Sequence, residues 1–313
     1  MSRAYLCVSI DTECDKGRAW RSKKPMAFDG IHEGVVNRLA PLFAEYGAKP
    51  TYLLSPEVLR DERSVEALMK LDTSSELGTH LHGEYAEPDA WEPDVTKDFQ
   101  RDYEPEVERK KLTYLTDLFI RAFGHQPTSF RAGRFGIGSA SIPILESLGY
   151  LVESSVTPHM DWEQAAGARG LSFEGAPSQP YRPDPIDPAR PGDAKILEVP
   201  VTIRKRLVNA LPIVGKRIDP RWLRPTRGTG EALVRLAEDE IADARRTAPG
   251  RPVILNAMFH NVEICADTSP YAATESEARG ILGRLRSLLE FAKKESISVV
   301  GLGDVPEILA DAS

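Results

Sequence analysis

Short apolar runs alternate with longer amphipathic stretches along most of this chain. Residues 4–10 are apolar almost throughout and predict a first strand buried on both faces. Ile31, Val35, Val36, Leu39, Leu42 and Phe43 recur at helical spacing, so 31–47 predicts a helix with Gly47 as its stop. Residues 50–54 predict strand two. A second helix is expected over 56–70, with Val58, Leu59, Val65, Leu68 and Met69 inward, and 76–80 reads as a short third strand. Residues 83–103 are acidic, aromatic and Pro-containing without a period, and predict a loop lying over a site. The regular rhythm then returns as a helix at 104–123, a strand at 128–131, a short helix at 139–148 and a strand at 150–155.

The rhythm breaks at 158–195, which is rich in Pro, Gly and polar residues. Gln179-Pro180-Tyr181-Arg182-Pro183-Asp184-Pro185 can be neither a helix nor a central strand. Strand character resumes at 196–200, then a helix at 230–247, a strand at 253–259, a helix at 274–294 and a last strand at 297–300. Strands alternating with helices imply a parallel sheet, and about seven or eight such units suggest closure into a barrel. The expectation is one α/β domain over 1–313 with a loop-rich insert at about 158–228.

Composition narrows the function. The net charge is −7 over 313 residues, so nucleic-acid binding, which asks for a basic excess, is not expected. Three cysteines, Cys7, Cys14 and Cys265, do not make a disulfide framework. Cys14 lies beside an acidic cluster, where a metal role is conceivable, but no second Cys is placed to chelate with it. The N-terminus shows no secretory apolar region, and no stretch is long enough to span a bilayer, so a cytoplasmic protein is expected.

Chemistry-bearing residues gather at the ends of the predicted strands, which is where a β/α barrel builds a site. Asp11 and Glu13 lie two apart after strand one and can share a side. Such a pair divides labour, one carboxylate ligating a cation while the other holds or removes a proton. His80 and His82 flank one residue and can both reach one ion, with Zn²⁺ well suited. Glu84 is a candidate acceptor orienting one ring. Arg131 can hold a carboxylate ionised and oriented through a bidentate contact. His260, at the end of the most apolar C-terminal strand, is placed to act as a general acid. Asp161-Trp162 offers a supporting carboxylate and a sugar-stacking wall. His32, His125 and His159 have no partner pattern.

The ordered set resembles the polysaccharide deacetylases, the NodB-homology or carbohydrate esterase family 4 group. The matching segments are Ser9-Ile10-Asp11-Thr12-Glu13, Gly78-Thr79-His80-Leu81-His82, Arg131-Ala132-Gly133-Arg134-Phe135-Gly136, Asp161-Trp162 and Phe259-His260. The resemblance implies a distorted (β/α)₇ barrel and one divalent metal, Zn²⁺ first, with Ni²⁺, Co²⁺ or Fe²⁺ as substitutes. By position Asp11 matches the family's catalytic base. The carboxylate ligand is Glu13, or Asp11 itself, beside His80 and His82. The departures are an Asp-Thr-Glu where the family has adjacent aspartates, a His pair two rather than four apart, and a third motif without its Pro. They mark a divergent branch similar to deacetylases of surface-polysaccharide biosynthesis.

The expected activity is therefore hydrolysis of an N-acetyl group on an amino sugar, nucleotide-linked, lipid-linked or free, with Asp11, Arg131 and His260 catalytic. The rivals are hydrolysis of another non-peptide C–N bond, such as a small cyclic amide, and a barrel that binds sugar without turnover. Residues 203–227 carry eight Lys or Arg side chains against one acid, Asp219, with apolar residues interleaved. That composition suggests peripheral contact with an anionic leaflet at the inner membrane face or with a pyrophosphate-linked glycan.

Overall fold

The structure, a computed structural model, describes residues 2–71, 74–90, 99–163, 170–205 and 220–311. Its strands, in chain order, are β1 (Ala4–Thr12), β2 (Thr51–Leu54), β3 (Glu76–Leu81), β4 (Ser129–Ala132), β5 (Val152–Glu153), β6 (Leu197–Glu198), β7 (Ile203–Arg204), β8 (Arg221–Trp222), β9 (Val253–His260) and β10 (Ser298–Val300). All but β7 and β8 belong to one eight-stranded parallel sheet. Its neighbours run β9, β1, β2, β3, β4, β5, β6. β10 lies beside the start of β1, at Tyr5–Cys7, while β2 lies beside its end, at Ser9–Thr12.

The sheet curls back on itself. The chain just past β6 meets β9 where Thr202 N–H donates to the Asn256 carbonyl at 3.0 Å and Asn256 N–H donates to Thr202 Oγ1 at 2.8 Å. The result is a (β/α) barrel, as the alternation of strands and helices suggested, and a distorted one, as the resemblance implied.

Barrel geometry explains why β1 and β9 were the most legible strands. Every residue of β1 except Tyr5, and every residue of β9 except His260, is buried, because helices cover the outside and side chains fill the inside. The helix Glu275–Lys294 buries Ile281, Leu285, Leu288 and Leu289 on one face. Each such side chain contributes about 1.5–3 kcal/mol of transfer free energy. A Thr274/Glu277 capping box satisfies its first turn.

Three local readings differ from the sequence pattern. Residues 31–47 open as a π-helix, Gly30–Leu39, and only then become the α-helix Ala40–Tyr46. Gly34 lies so near the turn after β9 that a Cβ there would stand 2.7 Å from Ile264 Cδ1. The helix expected over 56–70 is two, Pro56–Leu59 and Glu62–Met69, because the Asp61 side chain caps the second by accepting from Ser64 N–H at 2.8 Å. The strand expected over 150–155 is only Val152–Glu153, and beyond it the Ser154 hydroxyl accepts from Arg131 Nη2 and the Ser155 hydroxyl from Ala132 N–H. In the loop-rich insert, β7 and β8 form a small antiparallel ribbon that the pattern did not announce. Part of the predicted 83–103 loop, residues 91–98, lies outside the described residues.

Candidate active site

The barrel interior is polar below its mouth, and this polarity is organised around Arg131. The side chain is fully buried on β4. Its Nη1 donates to Asp11 Oδ1 at 2.7 Å, its Nη2 to Ser9 Oγ at 2.7 Å and Ser154 Oγ at 2.9 Å, and its Nε to the Ser154 carbonyl at 2.7 Å. Asn256 of β9 ties the same cluster together, accepting from Ser9 Oγ at 2.8 Å and donating to Ser154 Oγ at 2.9 Å. A buried guanidinium is costly unless its donors are met, and here they are. The arrangement fixes Asp11 as an anion. Burial alone would raise its carboxyl pKa, but Arg131, with His80 and His260, outweighs burial and holds it well below the usual carboxylate range.

β1 and β9 place Asp11 and His260 as direct neighbours in register. His260 Nε2 stands 3.8 Å from Asp11 Oδ2 and 3.9 Å from Glu13 Oε1. Its other nitrogen, Nδ1, donates to Glu263 Oε1 at 2.7 Å. Arg224 and Thr226 also donate to Glu263 through very short contacts. The Arg224 Nη2 to His260 Nδ1 distance of 3.2 Å then joins two donors, since the carboxylate draws the proton onto Nδ1. Burial would raise Glu263, but Arg224 and His260 prevail and bring it to about 2. The carboxylate behind the histidine is thus Glu263, three residues on, whereas the sequence offered Asp161. Asp161 does not line the cavity and pairs across a bridge with Ser172.

His80 and Arg131 are register neighbours on β3 and β4. His80 Nδ1 donates to the Arg131 carbonyl at 3.0 Å, leaving Nε2 facing Asp11 Oδ2 at 4.0 Å. Burial lowers its pKa to about 4, so the ring is neutral and Nε2 is an unprotonated acceptor.

Glu13 and His82 meet a third group that the sequence did not single out, Glu57 on the short helix after β2. His82 Nε2 is 3.1 Å from Glu13 Oε2, and His82 Nδ1 is 3.3 Å from Glu57 Oε1, the latter without hydrogen-bond alignment. One ligand atom from each of Glu13, Glu57 and His82 lies within 4.8 Å of the others, and all three residues are buried. Glu13 Oε1, Glu57 Oε2 and His82 Nδ1 have no hydrogen-bond partner among the described residues. Buried orphan atoms of two carboxylates and an imidazole fit a divalent ion, and this group could hold one. It contains two of the three expected ligands, Glu13 and His82, with Glu57 beside them and His80 on the Asp11 side of the floor.

Asn261 secures Glu13 by its backbone. Its Oδ1 accepts from Glu13 N–H at 2.9 Å and its Nδ2 donates to the Glu13 carbonyl at 3.0 Å. Cys14 is buried with Sγ 3.6 Å from Lys16 Nζ, outside the ligand group. Glu84 binds Arg134 at 2.8 Å through Arg134 Nη2 instead of orienting a histidine ring.

These groups floor a cavity of about 480 Å³, within the range of small-molecule sites. One wall is aromatic. Phe135 and Trp162 stack with centroids 5.5 Å apart and planes 19° apart, and Trp222 packs edge-on to Trp162. Trp20 stands edge-on to His260 at 5.0 Å and to Tyr271 at 5.5 Å. The turn after β4 makes this possible at a local cost. Arg134 and Phe135 both have φ near +55°, at 54° and 56°, and a Cβ on Gly133 would lie 2.4 Å from the Leu81 carbonyl oxygen.

Neither a protein-family model nor a curated protein matches the chain. Solved structures do. A candidate glycoside hydrolase/deacetylase from Parabacteroides distasonis superposes with a TM-score of 0.64 at 14% identity, covering 99% of this chain and 72% of that one. A probable polysaccharide deacetylase from Pseudomonas aeruginosa PAO1 gives a TM-score of 0.55 at 14% identity, covering 98% and 89%. An allantoinase gives 0.54 at 13% identity, covering 98% and 89%. Structures described as polysaccharide deacetylases recur among the neighbours, and the fold is theirs. The same fold also carries other chemistry, so the reaction has to be argued from the site.

Proposed function

We propose that the protein is a metal-dependent hydrolase that removes the N-acetyl group from an amino sugar of a surface-polysaccharide precursor. One observation carries the reading: a carboxylate held ionised and an imidazole held in one tautomer converge on the floor of a sugar-sized cavity, beside a buried group able to hold a cation. Glu13, Glu57 and His82 would hold the ion, and their mixed oxygen and nitrogen donors suit Zn²⁺. A bound ion supplies polarisation of the acyl oxygen and a water whose pKa falls towards about 7.

The chain's own groups do the rest. Asp11 takes a proton from water as it attacks the acyl carbon, and Arg131 keeps Asp11 ionised and aimed at the cavity. Neutral His80 presents Nε2 to the same floor and accepts a hydrogen bond from the O–H that the attacking oxygen keeps. His260, entering the cycle protonated, gives its Nε2 proton to the departing amine and is recharged by the proton Asp11 took from water, the two groups standing 3.8 Å apart, while Glu263 holds Nδ1–H and stabilises the imidazolium. The Phe135–Trp162 wall offers an apolar face for a sugar ring. A barrel that only binds sugar needs neither the Arg131–Asp11 pair nor the Glu263–His260 pair.

The reading is tested by metal content. Purified protein should contain about one equivalent of a divalent first-row metal, and both Glu57→Gln and His82→Ala should lose it by the loss of one of three ligands. A wild-type protein that takes up no ion after incubation with Zn²⁺, Ni²⁺, Co²⁺ or Fe²⁺ would remove the metal from the account.

A further inference from the structure

The Glu13–Glu57–His82 group already has a cation beside it. Lys16 is buried, 7% exposed, a placement lysine almost never takes without a partner. Its Nζ lies 3.3 Å from Glu13 Oε2 and 3.9 Å from Glu57 Oε1, the carboxylates that form two thirds of the ligand group. The same ammonium is 3.6 Å from Cys14 Sγ and 5.4 Å from the centre of the Tyr85 ring. It is held by backbone as well, since Lys16 N–H donates to the Thr268 carbonyl at 3.0 Å. Lys16 also lines the cavity, so its side chain has space on the cavity side.

Two cations cannot both be stabilised by one pair of carboxylates at this range without repelling each other. From this geometry we infer that Lys16 is a built-in counter-ion that competes with the divalent ion for Glu13 and Glu57. Loading the ion moves the ammonium off the carboxylates. The Tyr85 ring and the cavity are where it goes, the ring face attracting an ammonium that has lost its anions. Without an ion, Lys16 neutralises two buried carboxylates that would otherwise destabilise the barrel mouth. The consequence is a site that stays folded when empty and holds its ion reversibly. The inference rests on the metal-dependent reading, and its test separates the two.

Zn²⁺ affinity is measured by competition with a chromophoric chelator for wild type, Lys16→Met and Lys16→Arg, together with the shift in melting temperature that Zn²⁺ produces in each. Lys16→Met keeps the stem and removes the charge. It should bind Zn²⁺ about tenfold or more tighter than wild type. It should melt lower without Zn²⁺ and gain more from it, because the ion replaces the missing charge. That second reading survives even if Lys16→Met is only marginally folded. Lys16→Arg, which keeps the charge, should stay near wild type. Equal or weaker binding by Lys16→Met, with wild type binding one ion, overturns the inference and leaves the metal reading intact. Binding by Lys16→Met alone supports the inference and sinks metal dependence of the wild type. Binding by neither overturns both.

Discussion

Replacing Glu263 by Gln tests the account at the point where stability and chemistry meet. Glu263 is fully buried and receives Arg224, Thr226 and His260. Its carboxyl falls from the ordinary 4.5 to about 2 because Arg224 and His260 outweigh burial. At about 1.4 kcal/mol per tenfold, that fall is worth about 3 kcal/mol of folding stability. The sign follows from linkage. A carboxyl whose pKa is lower when folded stabilises the protein fully above about 4.5, and the stabilisation disappears as pH falls towards about 2. Glu263→Gln should therefore be less stable than wild type by about 3 kcal/mol at neutral pH, measured by urea unfolding. The gap should narrow progressively in titrations taken from pH 5 downwards, as far as the folded state allows. The variant should also lose at least about tenfold in kcat, since His260 Nδ1 loses the acceptor that fixes its tautomer. A gap below about 0.5 kcal/mol, or one that does not depend on pH, would refute the reasoning, because surface substitutions alone reach that size.

Two further outcomes follow from the same geometry. Arg131→Met leaves Asp11 buried with no cation in direct contact, so it should destabilise the fold by about 3–5 kcal/mol and abolish turnover; a variant as stable as wild type in urea would contradict the role given to this pair. Trp162→Ala opens the stacking wall without touching the acid–base groups, so KM for a sugar substrate should rise about tenfold while kcat changes little; an equal loss in kcat with unchanged KM would place Trp162 in the chemistry instead.

The legible part of this chain was legible for physical reasons. A parallel barrel buries both faces of β1 and β9, so both appear as unbroken apolar runs, and a polar residue at their ends, Asp11 or His260, stands out as unexplained by burial. β5 and β6 are two residues each, shorter than the strands expected over 150–155 and 196–200, because their neighbours Ser154, Ser155 and Thr202 serve the polar interior. Glu57 was missed because an acid in the first turn of a helix after Pro56 is ordinary helix chemistry. Nothing in sequence shows that this helix aims it at His82. Lys16, directly after Asp15, carries no sequence signal that separates it from a solvated loop cation. Glu263 and Asn261 had a weak signal, a carboxylate and an amide directly after the candidate acid in Phe259-His260-Asn261-Val262-Glu263. The resemblance to a family drew attention to Asp161 instead. In the basic segment 203–227, residues 206–219 lie outside the described residues. Of its described cations, Arg204 meets Glu240 and Asp243, Arg221 meets Asp239, and Arg224 meets Glu263. No helix among the described residues is long and apolar enough to cross a membrane.

The central claim is that Asp11 and His260 drive acetate release with the help of an ion that neither is needed to bind. The direct measurement is acetate released from a panel of N-acetylated amino sugars, free and nucleotide-linked, by wild type and Asp11→Asn, each with its metal content determined. The account predicts acetate from wild type, loss of release on chelation with recovery on adding Zn²⁺, and an Asp11→Asn protein that retains its ion but loses most turnover. An Asp11→Asn protein with unchanged kcat on a substrate that wild type deacetylates would contradict it.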